Sequence, residues 1–163
     1  MVIFINGSIN AGKSTVARLV AQKLGETVVL EVDALRDMIP WVPLEKSIPI
    51  NLENVVSLIK NFRRAGFNVV VPYPLSRGNF EFLKEKLGPD IADCQFFTLS
   101  PQLDIAANDR GDRKLNDWEK ERVKYHYSVG IHKPDFGEII DNTSQTPEET
   151  ADLVVRKIKR PKQ

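Results

Sequence analysis

The sequence predicts an α/β fold, a three-layer α/β/α sandwich built around a five-stranded parallel sheet. Five short apolar segments alternate with helical patterns along the chain, and this alternation is typical of a parallel sheet that helices cover on both faces. A glycine-rich segment, residues 7–12, joins the first apolar segment directly to the first helical pattern. No repeat, linker or low-complexity stretch interrupts the alternation, so we expect one domain over residues 1–163.

The predicted elements follow the periodicity of the apolar residues. We expect strands at residues 2–6, 28–32, 68–71, 94–99 and 138–141. We expect helices at residues 13–24, 33–38, 51–65, 79–87, 100–108, 117–128 and 147–159. Asn51 is the predicted N-cap of the third helix. The segment before it, residues 39–49, contains three prolines, which disfavour a regular helix, so we expect a long surface loop there.

Composition and charge narrow the class of protein. The chain is 42% apolar and 28% charged, with a formal net charge of +1, so it has no general attraction for nucleic acid or an anionic membrane. Its single cysteine, Cys94, cannot form an internal disulfide, and we expect it to be buried. No apolar run is long enough to span a membrane, and no leader pattern precedes the first strand. We therefore expect a cytoplasmic monomer or homodimer that binds neither nucleic acid nor membrane.

The segment from Gly7 to Ser14 matches the pattern Gly-x-x-x-x-Gly-Lys-Ser at every fixed position. This pattern between a strand and a helix is the phosphate-binding loop called Walker A. The glycines let the backbone turn so that its amides point at phosphate oxygens, and the start of the helix adds its dipole. Lys13 can reach the terminal phosphates of ATP, and the Ser14 hydroxyl can bind Mg²⁺. The predicted ATP-binding residues of this segment are Gly7, Asn10, Ala11, Gly12, Lys13, Ser14 and Thr15.

Further candidate residues follow the other strands, because ligands bind beyond the carboxyl ends of the strands in such sheets. Asp33 ends the second predicted strand, and it is the best candidate for a general base or for a carboxylate that supports Mg²⁺. It could instead be only the N-cap of the short helix that follows. Arg36 and Asp37, one helical turn later, could face an acceptor or solvent.

Aromatic and basic residues outside the phosphate loop are candidates for binding the acceptor. Tyr73 and Arg77 follow the third predicted strand, so we expect them at the same edge of the sheet as Asp33. Trp41 lies among the prolines of the 39–49 segment. Its indole could stack on a substrate ring, or it could attach the loop to the core.

Residues 109–116 form a polar segment that carries Arg110 and Arg113 on either side of Gly111. Phosphoryl transfer spreads negative charge over the equatorial oxygens, and mobile arginines can neutralise it. We therefore predict a short catalytic lid here, with a solvated charged loop as the alternative.

The two histidines, His126 and His132, are not spaced for a metal site, and we predict a packing or surface role for His126.

Taken together, the phosphate loop, Asp33 and the arginine segment make the chain resemble the small P-loop kinases of the shikimate, gluconate and nucleoside monophosphate kinase group. The resemblance implies the strand order 2-3-1-4-5, an ATP site at the first loop and a lid after strand four. Locally the chain is most similar to chloramphenicol phosphotransferase-like proteins. Three segments carry that similarity besides the loop: Val32-Asp33-Ala34-Leu35 with Met38 and Pro40, Arg110-Gly111-Asp112-Arg113, and Ile140-Asp141-Asn142-Thr143-Ser144.

The resemblance also implies residue roles. It places the proposed base on Asp33, and it places Asn142 and Thr143 beside the adenine of ATP. One departure concerns the metal: many P-loop enzymes end the third or the adjacent strand with an aspartate that supports Mg²⁺, whereas here Pro72 and Tyr73 occupy that place. Asp33 and Ser14 are then the expected metal residues, and which carboxylate supports Mg²⁺ is left open.

The leading hypothesis is an ATP-dependent, Mg²⁺-assisted kinase that phosphorylates a hydroxyl of a small molecule, as shikimate kinases or antibiotic phosphotransferases do. A nucleoside or nucleotide acceptor is the nearest alternative. A nucleotide-binding regulator without an acceptor is the alternative from another class, although the guanine-reading Asn-Lys-x-Asp of GTPases does not occur. A closed, substrate-sized pocket between Asp33, Tyr73 and the arginine segment would favour the kinase, and a flat surface would favour the regulator.

Overall fold

The computed structural model describes residues 1–109 and 113–158, and its centre is one parallel five-stranded sheet. The strands have the order β2-β3-β1-β4-β5, so the predicted α/β fold and strand order are confirmed. The strands are β1 (Val2–Gly7), β2 (Thr27–Val29), β3 (Asn68–Pro72), β4 (Cys94–Leu99) and β5 (Glu138–Ile140).

Helices of the described residues cover both faces of the sheet. They are α1 (Lys13–Leu24), α2 (Val32–Arg36), α3 (Leu44–Arg64), α4 (Arg77–Leu87), α5 (Leu103–Ala106), α6 (Asp117–Ser128) and α7 (Pro147–Ile158), with a 3₁₀ helix at Gly88–Asp93 before β4. No helix in these ranges is long and apolar enough to cross a membrane. The bounds of α1, β4 and α6 agree with the prediction, because each has a clear start signal or a continuous apolar run. In α6 that signal is a capping box between Asn116 and Glu119.

The central strand β1 is buried on both faces, because its side chains alternate between two apolar clusters. Ile3 and Ile5 pack in the cluster formed with α1 and α7. Val2 and Phe4 pack in the other cluster, which α3 and α4 complete. The expected burial of Cys94 is confirmed, and burial raises the pKa of its thiol to about 12, so it is an unreactive core residue.

Asn6 is a fully buried polar side chain at the end of β1, and it joins three other segments. Its Nδ2 donates to Thr98 Oγ1 on β4 at 3.0 Å and to the Ile131 carbonyl at 3.3 Å. Its Oδ1 accepts the Leu75 amide, beyond the end of β3, at 2.7 Å. These three bonds fix the edge of the sheet from which the phosphate loop leaves.

The prediction of a surface loop at residues 39–49 is wrong for the second half of that segment, because α3 begins at Leu44 and contains Pro49. A proline inside a helix costs about 3 kcal/mol. Here packing offsets that cost, since Ser47 is fully buried and Ile48 packs against the core. Asn51 is accordingly a buried residue of the helix interior and not its N-cap.

The second strand also ends earlier than predicted. It ends at Val29, and only one further bond, from the Leu30 amide to the Val70 carbonyl at 2.9 Å, continues the pairing. The chain then turns into α2, whose N-cap is Glu31, so Asp33 lies in the first turn of the helix and is not the cap.

Smaller differences concern other ends. The helix predicted at 100–108 is only α5, and α4 begins two residues earlier than predicted, because the Ser76 hydroxyl accepts the Asn79 amide and caps it. Strand β5 ends one residue early, whereas β1 and β3 each extend one residue further. Residue 159, the predicted end of the last helix, lies outside the described residues.

We predict that Asn6→Leu lowers the free energy of unfolding by about 3 kcal/mol, because it leaves buried partners on three segments without a hydrogen bond. Urea denaturation followed by circular dichroism measures this loss. Asn54→Leu on the exposed side of α3 is the matched control and should change stability by less than about 0.5 kcal/mol. Equal effects of the two substitutions would show that Asn6 does not hold this edge of the sheet together.

Candidate active site

The phosphate loop has a backbone that only glycine allows at its first position. Gly7 has a φ of 141°, and a Cβ on it would lie 2.6 Å from the Leu99 carbonyl oxygen on β4. Gly12 has a φ of 93° and directly precedes α1. Together they let the chain turn sharply between the central strand and the helix, with the start of α1 directed at the loop.

Lys13 lies half-buried in this loop, and its Nζ donates to the Ser8 carbonyl at 2.7 Å. Burial lowers the pKa of its ammonium group to about 8, and the charge of Arg113 lowers it further, whereas the charges of Asp33 and Glu31 oppose the shift. These carboxylates and Arg113 therefore act on the same ammonium group. The phosphates of a bound nucleotide would add negative charge beside this ammonium group and favour its charged form.

Glu31 is a further candidate site residue that the sequence did not indicate. Ser14 Oγ donates to Glu31 Oε2 at 3.1 Å, and Arg18 binds the other carboxylate oxygen at 3.0 Å. The predicted second strand placed Glu31 inside the strand. The early end of β2 instead brings it to the site, so a better strand boundary would have found it.

The donor set beside Ser14 fits Mg²⁺. A hydroxyl and a carboxylate are the hard oxygen ligands that this ion prefers, and it takes its remaining ligands from water and substrate phosphates. Within residues 1–109 and 113–158, no group of three or more His, Cys, Asp or Glu side chains could hold a metal ion. A few protein oxygens that share a metal with phosphates are therefore the type of site that these residues can form.

Asp33 and Tyr73 lie near each other, and two arginines lie close by. Burial raises the pKa of the Tyr73 hydroxyl, and the charge of Asp33 raises it further, whereas Arg36 and Arg122 lower it. Asp33 also acts on Lys13, and its own side chain is exposed. The candidate base thus lies between the phosphate loop and the residues predicted to bind an acceptor.

Residues of the phosphate loop and candidate acceptor residues line one cavity of about 850 Å³. Lys13, Ser14 and Asp33 line it on the loop side, together with Arg36, Asp37 and Tyr73. Aliphatic residues, prolines and several aromatic residues line the rest of its wall. Two of the aromatic residues are largely exposed: Trp41 at 84% and Trp118 of α6 at 63%. Because Trp41 is so exposed, it does not attach its segment to the core.

Arg113 also lines the cavity, and it pairs with Glu119 Oε1 at 2.8 Å. Arg110, Gly111 and Asp112 lie outside the described residues. Arg77 does not line the cavity, although it was a candidate acceptor ligand. It instead pairs with Asp135 at 2.6 Å and Glu81 at 2.7 Å.

Several candidate ATP-binding residues use their side chains to hold the loop. Asn10 Nδ2 donates to the carbonyls of Ala106 at 3.1 Å and Asn108 at 2.8 Å. Asn142 Nδ2 donates to the Ala11 carbonyl at 3.0 Å. Thr143 Oγ1 accepts the Gln102 amide and donates to Asp141, and the side chain of Thr15 is exposed. Their direct role toward a nucleotide stays a prediction.

His126 is the second residue whose place the sequence did not indicate. It is buried in α6, and its Nδ1 lies 3.4 Å from both the Ile9 amide and the Ser8 hydroxyl of the phosphate loop. Burial lowers the pKa of the imidazole to about 4, and the charges of Arg122 and Lys13 lower it further, so the ring is neutral at pH 7. No sequence pattern could have shown that α6 returns to the loop.

Comparison with known proteins gives one family match. The Zeta toxin family matches residues 1–49, the part that contains β1, the phosphate loop, α1, β2 and α2. No curated protein matches the chain in sequence.

Solved structures match nearly the whole chain. A sugar kinase from Janibacter sp. HTCC2649 has a TM-score of 0.68 at 18% identity, covering 97% of this chain and 95% of that one. A gluconokinase from Sinorhizobium meliloti 1021 has a TM-score of 0.66 at 18% identity, covering 96% and 87%. The APS kinase of Mycobacterium tuberculosis, in complex with AMPPNP and APS, has a TM-score of 0.66 at 18% identity, covering 98% and 97%. The predicted resemblance is thereby confirmed for the architecture: this chain has the fold of the small P-loop kinases.

Proposed function

We propose that this protein is a kinase that transfers the γ-phosphoryl group of ATP to a hydroxyl of a small molecule. The observation that carries the proposal is that Lys13 of the phosphate loop and Asp33, the candidate base, line the same cavity. A phosphate donor and an acceptor can therefore meet within it. The kinases and the AMPPNP complex that share the fold support the same reading.

The loop and Lys13 form the nucleotide side of the site. Backbone amides of the loop and the start of α1 bind the phosphate oxygens, and the Lys13 ammonium reaches the terminal phosphates. Lys13 now donates to the Ser8 carbonyl, so it exchanges a neutral acceptor for a charged one when a nucleotide binds. Arg113 adds positive charge on the same side of the cavity.

Ser14 and Glu31 would hold Mg²⁺ with the nucleotide phosphates, and Mg²⁺ would neutralise charge on the transferring group. The Ser14 hydroxyl supplies one oxygen, and Glu31 accepts from that hydroxyl or from a water. Arg18 fixes the other oxygen of Glu31, which holds the carboxylate in place. Glu31 would thus be the carboxylate that supports Mg²⁺, a role for which the sequence had suggested Asp33.

Asp33 is free to act on the acceptor. The Asp33 carboxylate takes the proton of the acceptor hydroxyl, whose oxygen forms a bond to the γ-phosphorus while the bond to the β–γ bridging oxygen breaks, leaving ADP. Arg113 stabilises the charge that spreads over the equatorial oxygens. It stays a prediction that Arg110 also stabilises this charge and that residues 109–116 form a lid.

The shape of the site favours a kinase over a nucleotide-binding regulator. A volume of about 850 Å³ is the size of a small-molecule site, and the cavity is a partly open cleft, neither closed nor flat, with Asp33, Tyr73 and Arg113 in its lining. The aromatic side chains in the lining suit a ring in the acceptor, and Arg36 and Arg122 suit an anionic group. A nucleoside or nucleotide therefore stays an alternative acceptor. We further propose that the protein acts as one domain in the cytoplasm.

We predict that Lys13→Ala raises the Kd of AMPPNP by at least about tenfold, because it removes a charged hydrogen bond to phosphate. Asp33→Asn should leave that Kd within about twofold and lower turnover by about a hundredfold or more, because it removes only the base. Isothermal titration calorimetry gives the Kd, and coupled ADP release gives the turnover.

The matched controls are Lys23→Ala, on the same helix as Lys13, and Asp104→Asn, outside the cavity lining. Both should behave as the wild type. Unchanged turnover of Asp33→Asn with the true acceptor would remove Asp33 as the base, and unchanged nucleotide affinity of Lys13→Ala would remove the loop as the ATP site.

We predict that Glu31→Gln raises the Mg²⁺ concentration needed for half-maximal activity by about tenfold or more, because the carboxylate that accepts from Ser14 loses its charge. A Mg²⁺ titration at saturating ATP measures the change. Glu45→Gln, an exposed acid outside the cavity lining, is the control. If both variants show the Mg²⁺ dependence of the wild type, Glu31 has no part in the metal site.

We predict that Trp41→Ala raises the KM for the acceptor by about tenfold and changes neither the melting temperature nor the Kd of AMPPNP, since the indole is 84% exposed at the cavity. A thermal-shift screen of sugars, shikimate-like acids, nucleosides and antibiotics with AMPPNP present identifies the acceptor. Ile50→Ala, an exposed apolar residue outside the cavity, is the control. A KM equal to that of the wild type would exclude stacking by Trp41.

A further inference from the structure

Two residues of helix α6 are buried, and one of them is apolar whereas the other is polar. Val123 is an apolar core residue, whereas His126 is a titratable side chain with only 3% of its surface exposed. A buried imidazole needs hydrogen-bond partners, since burying a polar group without one is costly. The contacts of His126 therefore indicate what the protein uses it for.

The phosphate loop provides those contacts. The Ile9 amide can only donate, so Nδ1 of His126 must be the acceptor at 3.4 Å, and the ring proton is then on Nε2. The Ser8 hydroxyl lies at the same distance from Nδ1, and the Ser8 carbonyl accepts from Lys13. Although both contacts of Nδ1 are long hydrogen bonds, they connect α6 to the residue that also holds the phosphate-binding lysine.

His126 belongs to a set of three attachments, one for each consecutive residue of the loop. Ile9 is attached to His126 of α6, Asn10 to the carbonyls at the end of α5, and Ala11 to Asn142 beyond β5. Asn10 has a φ of 61°, in the left-handed region that asparagine adopts more readily than most residues, and its two hydrogen bonds hold it there. The loop is thus held from outside at each of these positions, and His126 is the attachment on the cavity side.

We propose that His126 is a positioning residue of the phosphate loop: by accepting the Ile9 amide it holds the first half of the loop in the shape that receives the phosphates of ATP. The inference rests on the proposed function, because it requires that the loop binds a nucleotide. It assigns His126 an effect on the affinity for the nucleotide and none on the affinity for the acceptor alone.

The electrostatic surroundings agree with an acceptor role. Lys13 at the start of α1 and Arg122 on α6 are the charged groups that act on the ring, and both oppose its protonation. Burial has the same effect, so the pKa of about 4 keeps Nδ1 unprotonated and able to accept throughout the neutral range.

The test compares variants that keep or remove the acceptor. His126→Asn retains an oxygen close to the place of Nδ1, whereas His126→Phe retains a ring without an acceptor. We expect His126→Phe to raise the Kd of AMPPNP about tenfold, because the Ile9 amide loses its partner, and His126→Asn to stay within about threefold of the wild type. Isothermal titration calorimetry at neutral pH gives the Kd, and the melting temperature without nucleotide is measured for each variant.

Val123→Ala is the packing control, since it removes buried apolar volume from the same helix and no hydrogen bond. It should lower the melting temperature and leave the Kd of AMPPNP unchanged. An increase in Kd as large as that of His126→Phe would show that packing of α6, not the hydrogen bond, sets the affinity. Equal weakening by His126→Asn and His126→Phe, or no weakening by His126→Phe, would overturn the inference as well.

A replacement variant and an NMR measurement on the wild type ensure that the test either supports or overturns the inference. If His126→Phe does not fold, His126→Leu replaces it, and nitrogen NMR of the wild-type protein reports whether Nδ1 of His126 is an unprotonated acceptor at neutral pH. A proton on Nδ1 would overturn the inference. Lys13→Ala distinguishes failure of the proposed function from failure of the inference about His126. If Lys13→Ala binds AMPPNP as the wild type does, the proposed function fails. If Lys13→Ala loses binding and the His126 variants do not, only the inference about His126 fails.

Discussion

The site depends on how the buried central strand ends. Asn6, with no exposed surface, binds one group beyond β3, one on β4 and one beyond α6, so the carboxyl ends of the central strands are held at fixed positions. Immediately after it, Gly7 approaches the Leu99 carbonyl more closely than any side chain would allow. The direction of the phosphate loop follows from these two residues, and the positions of Lys13 and Ser14 follow from the loop.

The two carboxylates near Lys13, Glu31 and Asp33, can have different roles. Glu31 is bound by Ser14 and Arg18, which holds its carboxylate in place, whereas Asp33 is exposed and lines the cavity. Lys13 is near both, and the low pKa of its buried ammonium shows that nearby negative charge does not yet compensate for burial.

The sequence predicted what local patterns encode, and it failed where distant packing decides. The strand, loop and helix of Walker A, the range of α6 and the apolar run of β4 follow from local patterns, and the structure agrees with them. Pro49 misled the prediction of α3, because the burial of Ser47 and Ile48 outweighs its local cost. Glu31 was hidden by a strand boundary that depends on pairing with β3, and His126 meets the loop across 117 residues of sequence, a contact that no spacing rule contains.

Whether the cavity joins a nucleotide site to an acceptor site can be measured by following the γ-phosphate of ATP. The protein is incubated with ATP labelled at the γ-phosphate and with a small-molecule extract of cells, and the labelled products are separated by chromatography. We predict that label moves to a small molecule with the wild type and not with Lys13→Ala. Tight binding of ATP without transfer to any acceptor, or release of labelled inorganic phosphate alone, would contradict it and favour a nucleotide-binding regulator.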